Sequence, residues 1–145
     1  MKGEIKAICI SEKRGTEKHE VPEAELITDF GIKDDAHAGK WHRQVSLLSY
    51  DEVEAFKSRG ASVENGAFGE NILVEGWDLK TLPLGTIFEC GSVRLELTQV
   101  GKECHSHCRI FEQVGDCIMP REGVFTRVIR GGVLKKGDIL CIKQP

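Results

Sequence analysis

Strict alternation of apolar and polar residues marks the longest strand that the sequence predicts, Val93 to Val100. Apolar residues at positions 93, 95 and 97 alternate with polar residues at 94, 96 and 98. Side chains of a strand point alternately to its two faces, so this pattern predicts a strand with one face in water. Shorter β-rich pieces predict further strands over residues 4–10, 44–48, 71–75, 86–90, 125–129 and 139–142.

One helix is predicted, directly after the strand at residues 44–48. Ser49 and Glu52 form a capping-box pattern, in which the Ser49 hydroxyl accepts from the Glu52 N–H. Val53 and Phe56 share one face, and Gly60 supplies a stop, so the helix spans roughly two to three turns. The polar stretch from Ser11 to Glu25 is predicted to be irregular.

Many short strands separated by glycine turns predict a mainly β fold with one or a few short helices. Closing the sheet removes exposed strand edges, so we expect a closed or nearly closed β-barrel. Two pieces, residues 84–87 and 136–139, each place a turn glycine before a strand and are interpreted as equivalent turns. The length of 145 residues is typical of one domain, which we expect to span residues 1–145.

Composition narrows the possible functions. The charged fraction of 30%, with a net charge of −3, gives no basic excess for binding nucleic acid. No apolar run approaches the roughly 18 to 20 residues that cross a bilayer, and the N-terminus lacks the apolar stretch of a signal peptide. The sequence therefore predicts a cytoplasmic protein without a membrane partner, whose six cysteines are reduced thiols rather than a disulfide scaffold.

The segment that follows the best predicted strand concentrates chemically reactive side chains. Three of the six cysteines and two of the five histidines fall between positions 104 and 117. Cations lower the pKa of a thiol, so Lys102 and Arg109, with the histidines, favour a reactive thiolate. The candidate catalytic residues are Cys104, His105, His107, Cys108 and Cys117. By contrast, Cys9, Cys90 and Cys141 lie inside strand patterns, where a thiol acts as a small apolar side chain.

Two other interpretations of these cysteines stay open. Cys104, Cys108 and Cys117, with His105 or His107, supply enough soft ligands for a structural zinc, although the paired Cys-x-x-Cys knuckles are missing. The same thiols could also be buried apolar side chains in a hairpin.

Charge and a second polar loop favour an anionic ligand. Residues 102–136 carry seven positive and four negative side chains, a net of +3, which leaves −6 for the rest of the chain. Such polarisation steers anions toward the cysteine-bearing half. Asp35 and His37, within the polar loop at residues 31–43, offer a carboxylate and an imidazole that could bind or protonate a ligand.

In order and spacing, several fragments of the chain resemble the MOSC domain, the C-terminal domain of molybdenum cofactor sulfurases, in its stand-alone bacterial form. The matching fragments are residues 31–39, 45–48, 68–72, 84–87, the cysteine-bearing stretch, 123–128 and 132–138. The resemblance implies a β-barrel with a cysteine after a long strand, and Cys104 occupies that position. It further implies that Asp35, His37, Glu70, Asn71 and Arg127 line or brace the cofactor pocket. Arg109, a cation within the cysteine-bearing stretch, is a further candidate cofactor-binding residue.

What the resemblance implies for function is a sulfur carrier or a molybdenum-cofactor-binding domain, in which Cys104 accepts sulfur or ligates molybdenum. The implied partner is a cysteine desulfurase or another protein of molybdenum cofactor biosynthesis. Because the sequence contains no aminotransferase-like domain with a pyridoxal phosphate lysine, we expect no pyridoxal phosphate site and no complete desulfurase activity. The alternatives are a molybdenum-cofactor-dependent reductase module for N-hydroxylated substrates and the structural zinc protein. The sequence leaves the enzyme question and the oligomeric state open.

Overall fold

The computed structural model describes residues 2–13, 17–60, 64–101 and 123–143. These residues form a mainly β structure with one α-helix and one short 3₁₀ helix, Leu79–Thr81. The helix α1 spans Tyr50–Lys57. The strands are β1 Lys2–Ile10, β2 His19–Val21, β3 Glu23–Ile27, β4 Gly31–Ile32, β5 Val45–Ser49, β6 Ile72–Glu75, β7 Ile87–Cys90, β8 Val93–Val100, β9 Val124–Arg130, β10 Gly132–Lys135 and β11 Ile139–Lys143.

Seven of these strands close into a barrel, in the order β11-β7-β8-β9-β5-β6-β1, and β1 pairs again with β11. Lys2 is opposite Cys141 and Glu4 is opposite Ile139 across that closing seam. The predicted closed barrel is confirmed, and each predicted strand is present with bounds shifted by at most two residues. The turn glycines Gly85 and Gly137 have φ angles of 90° and 93° and lead into β7 and β11, so the two turns are equivalent as predicted.

Apolar side chains fill the barrel interior. In β8 the alternation seen in the sequence becomes burial, with Val93, Leu95 and Leu97 inside. A register shift in β1 between Ile5 and Ala7 changes which face each side chain occupies. Ile5 and Ile8 join the interior cluster, whereas Ala7 and Cys9 join a second cluster beneath α1.

The helix α1 connects β5 to β6, which are the two parallel neighbours of the barrel. Parallel strands need a crossover connection, and an amphipathic helix is the usual one. The Ser49 hydroxyl accepts from the Glu52 N–H at 3.3 Å, as the capping pattern predicted. Val53 and Phe56 are buried, so the helix packs on the outer face of the barrel.

A three-stranded sheet, in the order β10-β3-β4, lies beside the barrel. The prediction of irregular structure over Ser11 to Glu25 was therefore wrong for the start of β3, and it was also wrong for β2, which pairs with β1. In β3 the glutamates and Ile27 face solvent while Ala24 and Leu26 are buried against β10. Only two of its five residues are buried, so the apolar signal was too short to stand out.

Within the described residues, no helix combines the length and the apolar character needed to cross a membrane.

Candidate functional site

The loop that joins β4 to β5, residues 33–44, carries two histidines and is called the histidine loop below. It is anchored to the end of β1, where Ala36 N donates to Ser11 O at 2.8 Å. In return, Ser11 N donates to Asp35 Oδ1 at 3.1 Å. The Asp34 residue before it adopts a φ of 69°, a left-handed conformation that aspartate tolerates better than most residues. The tight turn thereby directs Asp35 into the protein.

A fully buried ion pair lies at the base of the histidine loop. Lys18 Nζ is 2.7 Å from Asp35 Oδ1, and neither side chain has any exposed surface. The same nitrogen lies 3.0 Å from His37 Nδ1 and 3.1 Å from Ser11 Oγ. An ammonium has three donors, and here three acceptors surround it. We refer to Ser11, Lys18, Asp35 and His37 as the Lys18 cluster.

Trp41 connects the Lys18 cluster to the next group of polar residues. Its Nε1 donates to His37 O at 2.8 Å, and its ring lies parallel to the His37 imidazole with 6.4 Å between centroids. On the other side, it meets the His42 ring edge-on at 6.1 Å. The three rings therefore run in a row along the histidine loop.

The second group joins the histidine loop to the end of β8 and is called the Gln99 cluster, consisting of His42, Arg43, Thr98 and Gln99. Gln99 Oε1 lies 2.8 Å from His42 Nε2 and accepts from Arg43 Nε at 3.0 Å. The Thr98 hydroxyl contacts the His42 carbonyl. The Arg43 guanidinium also stacks over the Phe125 ring at 5.1 Å. Among the described residues, no carboxylate pairs with Arg43.

The Gln99 cluster lies directly beside Gly101 and Gly123, the described residues that flank residues 102–122, called the cysteine segment below. Gln99 Nε2 donates to Gly101 O at 2.7 Å. Gly101 N in turn donates to Gly123 O, also at 2.7 Å. Gly101 and Gly123 are therefore paired beside the side chains that Gln99 contacts, those of Arg43 and His42. The predicted catalytic residues Cys104, His105, His107, Cys108 and Cys117, and the basic residue Arg109, lie outside the described residues.

Two of the three described cysteines, Cys9 and Cys90, are poorly suited to nucleophilic chemistry. Burial raises the pKa of the Cys9 thiol far above its usual range, and the nearby carboxylates of Glu70 and Glu20 act in the same direction. Burial also raises the pKa of Cys90, with Asp138 adding to the effect. Cys141 is half-buried in β11. Because a thiol reacts as its thiolate, these raised pKa values disfavour reaction at Cys9 and Cys90.

Glu70 is buried and holds a turn rather than reaching the loop surface. Its two oxygens accept from Gly66 N at 2.9 Å and from Phe68 N at 3.1 Å. Burial raises its pKa from the usual 4.5 to about 7, although these backbone bonds and the Lys18 charge oppose the shift. Lys18 N donates to Gly66 O at 2.9 Å, so the turn that Glu70 stabilises supports the backbone of Lys18.

Asn71 ties three barrel strands together. Its Oδ1 accepts from Ser46 N at 3.0 Å, and its Nδ2 donates to Cys9 O at 3.0 Å. The Ser46 hydroxyl accepts from Asn71 N at 3.0 Å. These bonds brace the start of β6 against β5 and β1.

Arg127 lies on the outer face of β9, away from the interior. Its Nη2 is 3.2 Å from Glu96 Oε1 on β8, and the side chains are 47% and 33% exposed. Asp35 and His37 are brought together by the structure, Glu70 supports the same cluster through the Gly66 turn, and Asn71 and Arg127 occupy other surroundings.

Within the described part of the chain, no group of three His, Cys, Asp or Glu residues is arranged to hold a metal ion. The cysteines and histidines considered as zinc ligands in the sequence lie in the cysteine segment, outside those residues.

Sequence reasoning missed Lys18, Arg43 and Gln99. Lys18 stands in a stretch of mixed charge and is 17 positions from Asp35, so no local pattern links them. Gln99 occupies an ordinary polar position in an alternating strand. The one available signal was its place immediately before the cysteine segment.

The described elements define a class of small closed β-barrels in which the polar loop between β4 and β5 packs beside the end of β8. The chain belongs to the MOSC domain family, whose model matches residues 34–140. That family is associated with chemistry of the molybdenum cofactor.

Solved structures share this fold. The YuaD protein from Bacillus subtilis superposes with a TM-score of 0.82 at 17% identity, over 98% of this chain and 96% of that chain. YiiM from Geobacillus stearothermophilus gives a TM-score of 0.71 at 18% identity, over 98% of this chain and 75% of the other. YiiM from Escherichia coli gives 0.69 at 18% identity, over 100% and 71%. A comparison with curated protein sequences finds no match.

Proposed function

We propose that the protein is a sulfur carrier or molybdenum-cofactor-binding domain that uses Cys104 as its reactive thiol. The observation that carries the proposal is the position of the Gln99 cluster beside the joined ends of the cysteine segment. Gly101 and Gly123 are bonded at 2.7 Å, and Gln99 holds both Gly101 and the side chain of Arg43. A cationic group, the Arg43 guanidinium, therefore lies beside the two residues that flank the segment containing Cys104.

The described thiols support this choice by their chemistry. Burial raises the pKa values of Cys9 and Cys90, so sulfur chemistry at either thiol is disfavoured. Of the four remaining cysteines, Cys141 lies within strand β11, which leaves Cys104, Cys108 and Cys117 in the stretch where cations and histidines cluster in the sequence. Cys104 is the first choice because it follows β8 most closely.

As a sulfur carrier, the Cys104 thiolate attacks the outer sulfur of a donor persulfide. A new S–S bond forms on Cys104 while the S–S bond of the donor breaks, and the donor leaves as a thiolate. The sulfane sulfur is transferred without any external oxidant or reductant. A cysteine desulfurase is the proposed donor, since the chain has no pyridoxal phosphate lysine motif of its own.

The donor groups at the base of the segment also suit the molybdenum cofactor. Arg43 presents a guanidinium fixed by Gln99 and Phe125, and a guanidinium matches phosphate oxygens in a bidentate way. When bound, the cofactor supplies a redox-active metal, and thiolate is a ligand type suited to it. The residues of this chain would bind the phosphate through Arg43 and offer the Cys104 thiolate as a ligand.

The test is sulfur loading followed by intact mass measurement. After incubation with a cysteine desulfurase and cysteine, the full chain is expected to gain one sulfur atom. Cys104→Ala should abolish the gain, and Cys141→Ala, on a barrel strand, should keep it. A gain retained in Cys104→Ala but lost in Cys108→Ala or Cys117→Ala would move the site. If none of the three variants loses the gain, a carrier role for this segment is wrong.

A parallel measurement addresses the cofactor. Protein made in a molybdenum-replete host is analysed for molybdenum and for pterin fluorescence. Both signals at equal stoichiometry favour the cofactor-binding role and, with it, a reductase module. Their absence alongside sulfur loading favours the carrier role, and stoichiometric zinc would instead favour a structural metal site.

A further inference from the structure

Arginines line the outer face of β8 and β9, beginning at the Gln99 cluster. Phe125 belongs to the cluster beneath α1 rather than to the barrel interior, and the Arg43 guanidinium lies over its ring at 5.1 Å. Arg127 follows Phe125 by two residues in β9 and is exposed. Because alternate residues of a strand share a face, Arg43 and Arg127 lie on the same side of the sheet.

A β-bulge adds two more arginines to this face. Arg130 is opposite Arg94, whereas Val128 is opposite Leu95, so β9 has one extra residue between the two pairs. Ile129 and Arg130 are both exposed as a result, and Arg94 alternates with buried neighbours in β8. We call four side chains of this face the arginine strip: Arg43, Arg94, Arg127 and Arg130.

Two arginines of the strip form exposed ion pairs. Arg94 Nε is 2.8 Å from Glu89 Oε2, and Arg127 Nη2 is 3.2 Å from Glu96 Oε1. Exposed pairs contribute little to stability, so both guanidinium groups can bond to an incoming carboxylate at small cost.

The other two arginines of the strip pair with no carboxylate among the residues that the structure describes. Arg130 donates to Ser92 O, and Arg43 donates to Gln99 Oε1. Arg130 is also directly opposite Arg94, and like charges at opposite positions of two strands destabilise a sheet. A carboxylate supplied by another molecule would relieve that repulsion.

The surroundings of the strip favour an acidic protein over a nucleic acid. Glu89 and Glu96 lie among the arginines and would repel the continuous phosphate backbone of a nucleic acid. Ile129 near one end of the β8–β9 pair and Val100 at the other are 37% and 38% exposed. Arginine together with apolar side chains is typical of protein interfaces.

We propose that the arginine strip is the docking site for a carboxylate-rich surface of the protein that delivers sulfur to the cysteine segment. The strip begins at the Gln99 cluster, beside Gly101 and Gly123, so a protein bound along it lies next to the residues that flank the segment. The identity of this partner rests on the proposed function, whereas the binding of carboxylates by the strip does not.

The first test measures binding of a fluorescently labelled oligoglutamate peptide to the full chain. The chain has a net charge of −3, so binding of this peptide requires a local positive surface. Binding is expected at low ionic strength and should weaken as salt screens the exposed charges. Arg94→Glu with Arg130→Glu should lower the affinity about tenfold, because two attractive charges become repulsive.

The matched control is Lys6→Glu with Lys57→Glu, which changes the net charge by the same amount. Lys6 lies on β1, three strands from the β8–β9 pair in either direction around the ring, and Lys57 lies at the end of α1. The control should lower the affinity much less than the strip variant. An equal loss in both variants would show that net charge rather than the strip binds the peptide, and would overturn the inference.

A single-stranded DNA oligonucleotide of the same charge distinguishes the two classes of anionic partner. Weaker binding of the oligonucleotide than of the peptide is expected. Tighter binding would assign the strip to phosphate groups and overturn the choice of a protein partner.

The second test separates docking from sulfur chemistry. The full chain is loaded either by a cysteine desulfurase with cysteine or by cysteine persulfide alone. Arg94→Glu with Arg130→Glu should slow loading by the desulfurase about tenfold and leave loading by the small persulfide unchanged. Equal slowing with both donors would show that the strip acts on the thiol, and no slowing with either would show that the donor docks elsewhere. Both results overturn the inference.

A milder variant covers the case in which charge reversal impairs folding. Arg94→Gln with Arg130→Gln should give the same pattern, with each effect reduced to about threefold. If the wild-type protein takes up sulfur from neither donor, the proposed function fails. The peptide measurement then decides by itself whether the strip binds carboxylates.

Discussion

Two buried carboxylates, Asp35 and Glu70, are stabilised in different ways. Asp35 forms an ion pair with Lys18 at 2.7 Å and accepts two backbone N–H bonds. Glu70 accepts two backbone N–H bonds, from Gly66 and Phe68, but has no ion-pair partner among the described residues. Burial raises the pKa of Glu70 to about 7.

Asp35 and Glu70 therefore stabilise the same loop region in two different ways. The Asp35 site depends on the Lys18 ammonium, and removing that cation leaves a buried charge uncompensated. The Glu70 site depends on a proton, because burial favours the neutral form of a carboxyl group that has no direct ion pair. The turn stabilised by Glu70 is bonded to the backbone of Lys18, so the two supports act on one segment.

The largest effect is expected when the Lys18–Asp35 ion pair is broken. Lys18→Met should lower the free energy of unfolding by about 3 to 5 kcal/mol, because the Asp35 carboxylate is left buried without its cation. Urea denaturation at neutral pH measures the loss. The double variant Lys18→Met with Asp35→Asn should recover part of the stability, since no charge then remains buried. A double variant no more stable than the single one would show that packing rather than charge dominates the site.

The next effect concerns the proton on Glu70. Its folded pKa of about 7 lies above the usual 4.5, so the folded state holds this proton more tightly than the unfolded state. The associated stability is fully present below pH 4.5 and is lost as the pH rises to about 7.

Urea denaturation across that pH range should therefore show that the free energy of unfolding falls as the pH rises. Glu70→Gln should remove the part of this fall that the Glu70 proton causes. Glu23→Gln, on the exposed face of β3, is the matched control and should retain the wild-type slope. If Glu70→Gln keeps the slope as well, another group is responsible for it.

The smallest expected effect is at the outer face of the barrel. The pair Arg127–Glu96 has a separation of 3.2 Å but is 47% and 33% exposed. Exposed pairs contribute little, so Arg127→Gln should change the unfolding free energy by less than about 0.5 kcal/mol. A thermal shift assay of Arg127→Gln and Lys18→Met side by side would show which of the two ion pairs contributes more to stability. A larger loss would indicate that Arg127 supports more than this surface contact.

The sequence predicted the barrel strands and the helix because their signals are local. Alternation in Val93 to Val100 and the capping pattern from Ser49 to Glu52 each lie within a few residues. The small sheet was missed because β3 buries only Ala24 and Leu26. The partner strand β10 is more than a hundred residues away in the sequence, as the pair Glu23 and Lys135 shows. No local sequence pattern can predict such a pairing.

The candidate site was predictable only in part for the same reason. Asp35 and His37 stood out as a carboxylate and an imidazole in a glycine-flanked loop. Lys18 did not, because burial of an ammonium is decided by acceptors that come from separate segments of the chain. The same holds for Arg43 and Gln99, which are 56 positions apart in the sequence.

The seam between β1 and β11 also has a consequence for synthesis of the protein. Lys2 pairs with Cys141, so the ring of strands cannot close until residues near position 141 have left the ribosome. Until then the nascent sheet has two open edges, which are sites for mispairing with other chains. Contacts so distant in sequence also form slowly, so closure of the barrel is expected to be a late step of folding.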